Sequence, residues 1–368
     1  MLERKIQEQL RAWKDRADRK SLIVQGARQV GKTFAVERFA RESYPESIAI
    51  NFKETPSAAT VFEGDLTVDR MVQALRFRYP EHEVAPGRTL VFLDEIQECP
   101  EAITSLKFWT ADGRYDVVAS GSLLGIDYKR PSSYPVGYVD YLNLKGLDFE
   151  EFLWAQGFGR DLTDTIRQLF HAREPVPAAI HQQLMAHFRL FCALGGMPEV
   201  IQTYEDTADF RRADEVQRAI LQGYLYDIAH YAVASEKIKA EKCFLSIAGQ
   251  LLGKENHKFQ YKHVRHGGRA SQYEGAISWL LSAGLIDKSV RVSSGQVPLR
   301  LQEDMASFKV YANDVGLLST MSGIPAAALF DERGRSLLDA GGLTENYVVQ
   351  QMVARGIEPR YWTSGNRA

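Results

Sequence analysis

The octet GARQVGKT at residues 26–33 is the stretch that decides the fold. The apolar run SLIVQ (21–25) comes directly before it, and FAVERFARES (34–43), which has the apolar spacing of a helix, comes directly after it. The octet matches G-x-x-x-x-G-K-[ST], the pattern of a phosphate-binding loop. An accidental match in a strand-to-helix turn is the alternative. The strand before the octet and the helix after it favour phosphate binding, because the pattern requires that context.

The residue types in the octet suit a bound nucleotide. Gly26 and Gly31 allow backbone angles that aim successive N–H groups inward, and the helix that follows adds its positive N-terminal end. We expect Lys32 to bridge the β- and γ-phosphates of ATP and the Thr33 hydroxyl to hold Mg²⁺. The expected nucleotide-binding residues are therefore Gly26, Ala27, Arg28, Gln29, Val30, Gly31, Lys32 and Thr33.

A second element, LVFLDEIQ at residues 90–97, is an apolar strand that ends in two acids. In such a pair the first carboxylate holds Mg²⁺ through water and the second polarises the attacking water. These roles are expected for Asp94 and Glu95, so that Thr33 and Asp94 are the predicted metal ligands and Asp94 also belongs to the cofactor site. The alternative is a surface acid pair that closes a strand. The upstream octet makes this alternative the weaker one.

A third element, VVASGS at residues 117–122, is a strand that runs into small polar residues. The carboxyl ends of neighbouring strands in a doubly wound sheet converge on one crevice. Ser120 or Ser122 would then reach the γ-phosphate, and a simple turn after the strand is the alternative. We take Ser120, together with Lys32 and Glu95, as the predicted catalytic residues.

The composition excludes several classes of protein. The chain has 368 residues, 45% of them hydrophobic and 25% charged, as in globular proteins of about two or three domains. Lysine plus arginine (45) nearly balances aspartate plus glutamate (47), so no overall field attracts nucleic acid or membrane. The three cysteines form no CxxC pair, and no apolar window is long enough to span a bilayer. These features predict a reduced, cytoplasmic protein without a disulfide framework.

The order of elements along the chain predicts an α/β fold. Leu2, Ile6, Leu10 and Trp13 have the spacing of an amphipathic N-terminal helix. From Ser21 onward, apolar runs alternate with helical patterns, which indicates a parallel sheet covered on both faces. A polar stretch between Leu162 and Ile180 suggests a linker or the entry to a lid, and the pattern is then helical up to about residue 233. The segment SVRVSSGQVPLRL (289–301) suggests a hairpin.

Several long stretches give the chain a family resemblance. It resembles bacterial and archaeal AAA-type ATPases that carry a C-terminal domain of unknown function, DUF4143. The stretches that carry the resemblance are GARQVGKT, LVFLDEIQ, ASGSLL (119–124), YPVGYVDYLNLKGLDFEEFL (134–153), LGGMPEV (194–200), FQYKHVRHGGRASQYEGAISWLLSAGLI (259–286), FKVYANDVGLL (308–318) and GLTENYVVQQMV (342–353).

The resemblance implies an α/β architecture with four parts after an N-terminal helix. These are a P-loop ATPase core with a parallel sheet, a helical lid, a winged-helix domain and a restriction-endonuclease-like α/β module. The expected bounds are 1–20 for the N-terminal helix, 21–160 for the core, 161–233 for the lid, 234–301 for the winged helix and 302–368 for the nuclease-like module.

Two departures from the family pattern affect the expected activity. Tyr138 stands where the family usually has an arginine that would sense the phosphates, so we expect weak hydrolysis. Lys129 and Arg130 lie close enough in sequence to take the place of that arginine. The chain ends with YWTSGNRA (361–368), an extended run and a hairpin turn without the returning strand. Glu345 is then the only matching acidic position of the nuclease-like module, and we expect a C-terminally truncated chain.

The predicted winged-helix region carries a basic loop before its helix. Its members are Lys262, His263, Arg265, His266 and Arg269. Such a loop would neutralise DNA phosphates, whereas winged helices also serve as protein-docking modules. The sequence leaves these two partners undecided. The histidines have no cysteine or carboxylate pair that would complete a metal site.

Three functions are consistent with the nucleotide motifs. The first is a Mg²⁺-dependent ATPase that acts as a molecular switch and signals its nucleotide state to a partner through the winged-helix region. The second is an ATP-regulated DNA-binding or DNA-processing enzyme with an incomplete nuclease-like module. The third is a small-molecule kinase, which only the octet supports. We favour the switch, with self-association if a neighbouring subunit supplies an arginine.

Overall fold

The structure is a computed structural model of the chain. It describes residues 2–122, 135–232, 235–253, 258–330, 336, 338 and 341–363. The chain forms two compact units. The N-terminal unit comprises Arg4–Lys145, and the C-terminal unit comprises Gly146–Ala368 together with residues 1–3.

The N-terminal unit alternates strands and helices. Its elements in chain order are α1 (Ile6–Asp15), β1 (Ser21–Gly26), α2 (Lys32–Ser43), β2 (Glu46–Asn51), α3 (Val68–Arg78), β3 (Thr89–Asp94), α4 (Pro100–Asp112), β4 (Asp116–Ser122) and β5 (Val139–Asn143). Short 3₁₀ turns at Pro56–Phe62 and Ile96–Glu98 interrupt the connections.

The strands form one parallel five-stranded sheet in the order β2-β3-β4-β1-β5. The predicted α/β fold with a parallel sheet is thus confirmed. Asn51 pairs in register with Asp94, and Gly26 with Ser122. The carboxyl ends of four neighbouring strands therefore lie side by side at one edge of the sheet, which is the edge that bears the octet.

Successive side chains of each strand point to opposite faces of the sheet, so the core of this unit has two layers. Ile23, Val91 and Val117 lie in one buried cluster with residues of α3 and α4, such as Leu75 and Leu106. The intervening residues of the same strands point to the opposite face, since successive side chains of a strand alternate. That face packs against α2, which contacts β1, β2, β3 and β4.

Helix α1 and the residues just before it contact the octet and α2. The guanidinium of Arg4 donates to the carbonyl of Val30 at 3.2 Å and to that of Lys145 at 2.8 Å. The amide of Gln7 donates to the carbonyl of Ala35 in α2 at 2.9 Å. Ile6, Leu10 and Trp13 are buried, as their helical spacing predicts. The N-terminal segment is thus part of the unit that holds the octet.

The C-terminal unit is mostly helical. Its elements in chain order are α5 (Phe149–Ala155), α6 (Arg160–Ala172), α7 (Ala178–Leu194), α8 (Pro198–Thr207), α9 (Phe210–Tyr231), α10 (Lys237–Leu252), α11 (Ala270–Ser282), β6 (Ile286–Val292), β7 (Glu303–Ala312), α12 (Val315–Met321), α13 (Gly342–Ala354) and β8 (Arg360–Tyr361).

The polar stretch that suggests a linker is partly helical. Helix α6 covers residues 160–172, so only the connection to α7 is irregular. The reason lies in the apolar residues Leu162, Ile166, Leu169 and Phe170, which recur at helical spacing among the polar ones. A linker is therefore excluded over most of this stretch, whereas the alternative, the entry to a lid, stays a prediction.

A three-stranded sheet in the order β7-β6-β8 completes the C-terminal unit. β6 and β7 pair in antiparallel fashion, but the second strand predicted within residues 289–301 is wrong, because β7 begins only at Glu303. Pro298 has no N–H to donate to a ladder, and a 3₁₀ turn at Leu299–Gln302 follows it. β8 pairs in parallel with β6. The turn predicted at residues 364–366 lies outside the described residues.

The sequence GGMPE (195–199) links two helices of this unit to Asp314. Gly195 ends α7 with φ 74°, and the next amide, that of Gly196, donates to Asp314 Oδ2 at 2.6 Å. Asp314 also caps α12 by accepting from the amide of Leu317, and it accepts from the Gln350 amide of α13 at 3.0 Å. Burial raises the pKa of the Asp314 carboxyl. One buried carboxylate therefore joins α7, α12 and α13.

Glu345, the acid that the resemblance singles out, lies in the first turn of α13. It accepts from the ammonium of Lys309 at 2.6 Å and from the hydroxyl of Tyr311 at 2.8 Å. Both donors are on β7. Within this unit, Glu345 therefore ties a helix to the three-stranded sheet.

All three cysteines, Cys99, Cys192 and Cys243, are free and buried. Burial raises the pKa of the Cys99 thiol to about 11 and that of Cys243 to about 12, and it raises that of Cys192 as well. Cys99 belongs to the N-terminal unit, and the other two belong to the C-terminal unit.

Among the described residues, no single helix is long and apolar enough to cross a membrane. The bent pair α7 and α8, with an angle of 116°, passes the test of length and composition only when the two helices are taken together.

Candidate nucleotide site

The octet forms a tight loop between β1 and α2. Gly26 is the last residue of β1, and Gly31, with φ 88°, directly precedes α2. Gln29 also has a positive φ of 65°, which is uncommon for a residue with a side chain. These angles turn the chain back on itself within a few residues. The loop therefore lies at the N-terminal end of α2, as its pattern predicts.

Lys32 is almost buried, with 8% of its surface exposed. Its ammonium donates to the carbonyl oxygens of Gly26 at 3.1 Å and Ala27 at 2.8 Å. The side chain thus folds over the loop and contacts the backbone of the same octet.

Asp94 is the centre of a buried hydrogen-bond network at the end of β3. Its Oδ2 accepts from the Thr33 hydroxyl at 3.0 Å and from the Asn51 amide at 3.1 Å, and its Oδ1 accepts from the Ser120 hydroxyl. Asp94 is only 3% exposed. The donors come from α2, β2 and β4, so the sheet order brings together residues that are far apart in sequence.

Glu95 lies next to this network in an unusual backbone conformation. Its φ of 52° and ψ of 43° are in the left-handed region, which few residues other than glycine adopt. The amide nitrogen of Gln97 donates to Glu95 Oε2 at 2.6 Å. Non-glycine residues held in this region are concentrated at functional sites.

The oxygen atoms of Asp94 and of the neighbouring Thr33 hydroxyl suit Mg²⁺ as ligands. A hydroxyl and a carboxylate provide hard oxygen ligands, and Mg²⁺ in phosphate sites typically uses one or two carboxylates with substrate phosphates and water. In the part of the chain that the structure describes, no group of three or more histidine, cysteine, aspartate or glutamate residues could hold a metal ion. Thr33 and Asp94 therefore fit a metal that shares its coordination with a bound nucleotide.

The structure brings together most of the residues predicted from the sequence, and it adds two. Thr33, Asp94 and Ser120 are in contact, whereas Asn51 lies outside the motifs and Gln97, the last residue of LVFLDEIQ, was given no role. The sequence features that could have identified them are a polar residue at the end of a strand, for Asn51, and a polar residue just after the acid pair, for Gln97. The Ser122 side chain, Lys129 and Arg130 lie outside what the structure describes.

The residues expected to affect ATP hydrolysis or to bind a partner are exposed. Tyr138, which stands where the family usually has an arginine, is 47% exposed just before β5. Lys262, Arg265, His266 and Arg269 of the basic loop are also exposed, in the segment before α11.

The fold and the site define the class of the N-terminal unit. Residues 18–153 match the family described as an AAA domain. They thus correspond to an AAA domain, and they include all five strands of the parallel sheet described above. No curated protein matches the sequence at a significant level.

A second family matches the C-terminal unit. Residues 185–328 match a domain of unknown function, DUF8612. The resemblance to DUF4143 is thus not supported: where that domain was expected to begin, the matching family is DUF8612.

Three solved structures are similar to the chain at a low level. The Orc1 protein of Aeropyrum pernix in complex with DNA is 15% identical, with a TM-score of 0.31 over 89% of this chain and 94% of that one. AMPPCP-bound DnaA from Aquifex aeolicus is 12% identical, with a TM-score of 0.33 over 75% and 85%. Cdc6p from Pyrobaculum aerophilum is 11% identical, with a TM-score of 0.29 over 88% and 93%.

A separate cavity of about 520 Å³ lies within the C-terminal unit and does not include the octet or Asp94. Its walls are mainly apolar side chains of α5, α6 and α13, among them Leu153, Ile166 and Met352. It therefore plays no part in the nucleotide site.

Proposed function

We propose that the chain binds ATP with Mg²⁺, hydrolyses it slowly and acts as a molecular switch. The observation that carries this proposal is the network at Asp94. One carboxylate accepts hydrogen bonds from the octet, from β2 and from β4, directly beside the phosphate-binding pattern. If the match of the octet were accidental, nothing would require Thr33 to donate to the same buried carboxylate as residues of β2 and β4.

Each side chain has a role in this proposal. The Lys32 ammonium exchanges its loop carbonyls for phosphate oxygens, which a charged donor binds more strongly. Thr33 and Asp94 would hold Mg²⁺, which neutralises phosphate charge when it is bound. Glu95 takes the role of the general base toward the attacking water, and Ser120 that of a γ-phosphate contact.

We expect the proposed switch to hydrolyse ATP slowly. Tyr138 offers no guanidinium to stabilise the developing charge, and arginine fingers accelerate such reactions by about 10³- to 10⁵-fold. A neighbouring subunit or partner would supply that group, and the winged-helix region at 234–301 would report the nucleotide state to a protein partner. The free, buried cysteines agree with a cytoplasmic location.

Two substitutions test the proposal. We expect Lys32→Ala to abolish binding of a fluorescent ATP analogue, because Lys32 contacts the phosphates in the ground state. We expect Glu95→Gln to retain binding and to slow phosphate release by about 10²- to 10⁴-fold, since a general base acts in the transition state.

Lys53→Ala, at an exposed lysine of the same unit, is the matched control and should leave both measurements unchanged. Equal affinity of the wild type and Lys32→Ala would refute the assignment of the octet.

The exposed basic loop before α11 favours one alternative, an ATP-regulated DNA-binding enzyme. Lys262, Arg265 and Arg269 would contact backbone phosphates. Duplex DNA should then stimulate hydrolysis several-fold, and Arg265→Ala with Arg269→Ala should abolish that stimulation. Hydrolysis that is insensitive to DNA supports the switch.

A further inference from the structure

Gln97 is a buried polar residue that the proposed chemistry has not yet used. It lies in the 3₁₀ turn Ile96–Glu98 and is 2% exposed. Its amide nitrogen donates to Glu95 Oε2 at 2.6 Å. Its carbonyl oxygen is buried and accepts no hydrogen bond from the part of the chain that the structure describes.

This arrangement lowers stability in two ways. A buried carbonyl without a donor loses its hydration and gains nothing in return. Glu95 is held in the left-handed region, where its Cβ is crowded by the backbone. A methionine has nearly the same length as glutamine and would fill the same space without an unsatisfied polar atom. Packing alone therefore does not require a glutamine at position 97.

The hydrogen bond fixes one half of the Glu95 carboxylate. Oε2 is held by Gln97, whereas Oε1 accepts no hydrogen bond from the described residues. A carboxylate with one anchored oxygen rotates less freely, which narrows the range of directions that its other oxygen can face. A general base needs this orientation, because it must lie within hydrogen-bond reach of the proton that it accepts.

We propose that Gln97 is a positioning residue, which orients Glu95 so that Oε1 faces the attacking water. The inference rests on the proposed ATP hydrolysis, because it concerns the base of that reaction. Gln97 acts through Glu95 alone.

The test is Gln97→Met, compared with the wild type under saturating ATP and Mg²⁺. We expect kcat to fall about 10- to 100-fold, which corresponds to the loss of one hydrogen bond to a charged group, and KM to stay unchanged. The affinity for a fluorescent ATP analogue should also stay unchanged. The melting temperature without nucleotide should stay close to that of the wild type, because removal of the unsatisfied carbonyl offsets the lost hydrogen bond to Glu95.

A double variant shows whether Gln97 acts through Glu95. In the Glu95→Gln background, the further change Gln97→Met should leave the residual rate unchanged, since the base is already lost. A further loss of rate in that background would overturn the inference. So would an unchanged or increased kcat in Gln97→Met, or a fall in kcat accompanied by a lower melting temperature.

The same assays distinguish failure of this inference from failure of the proposed function. A wild type that binds ATP but releases no phosphate contradicts both the hydrolysis and the role of Gln97. A wild type that hydrolyses ATP at the same rate as Gln97→Met contradicts only the role of Gln97.

Discussion

A side chain at position 26 would overlap the carbonyl oxygen of Leu144, well inside van der Waals contact. The amide of Leu144 in turn donates to the carbonyl of Gln25 at 2.8 Å. The chain that leaves β5 therefore runs directly against the first residue of the octet. Phosphate binding explains a glycine here only in part, because the neighbouring backbone also needs the space that a Cβ would fill.

Gly26→Ala should consequently affect both folding and binding. We expect the N-terminal unit to lose about 1–3 kcal/mol of stability, as in overpacked cores, and nucleotide affinity to fall with it. Denaturant unfolding and nucleotide titration measure the two effects. Gly223→Ala is the control, because position 223 lies within α9 with open space around it and should be neutral or stabilised by about 1 kcal/mol. Equal unfolding midpoints for Gly26→Ala and the wild type would contradict this argument.

At the scale of elements, the order of strands and helices in the N-terminal unit could be predicted, because hydrophobic periodicity is a local signal. The partners of Asp94 could be predicted only in part. Asn51 becomes its neighbour because β2 pairs with β3 in the register that sets residue 51 beside residue 94. No local pattern encodes that register. Gln97 was missed for a related reason, since its contact depends on the left-handed backbone at Glu95.

The junction of α7, α12 and α13 provides a prediction at this scale. Gly195→Ala adds a Cβ that overlaps the Asp314 carboxylate, at a position whose φ is already positive. We expect a loss of at least about 2 kcal/mol in the unfolding free energy of the C-terminal unit.

Gly323→Ala separates the two causes, because residue 323 has φ 70° with nothing near its Cβ. It should lose only about 1 kcal/mol, from the backbone conformation. A chemical denaturation curve for each variant gives the comparison, and equal losses would show that the contact with Asp314 contributes nothing.

At the scale of the whole molecule, the AAA domain could be predicted, whereas the identity of the C-terminal family could not. The nucleotide motifs are constrained by phosphate chemistry and are therefore recognisable from few residues. The sequence of the C-terminal unit offers no comparable motif of known chemistry, and its helices and short sheet are held by contacts such as those of Asp314 and Glu345. The division of this unit into lid, winged helix and nuclease-like module remains a prediction.

The positions of the three thiols give each unit its own chemical reporter of unfolding. Buried thiols with raised pKa values react with alkylating reagents only when the surrounding structure opens. If the octet binds ATP, saturation at about 100 times Kd should slow alkylation of Cys99 by up to about 100-fold, since ligand stabilises the folded unit.

Pulsed alkylation followed by mass spectrometry of the peptides reads all three sites in one sample. Alkylation of Cys99 at the same rate with and without ATP would contradict the prediction. The rates at the native residues Cys192 and Cys243 then show whether ATP also slows the opening of the C-terminal unit.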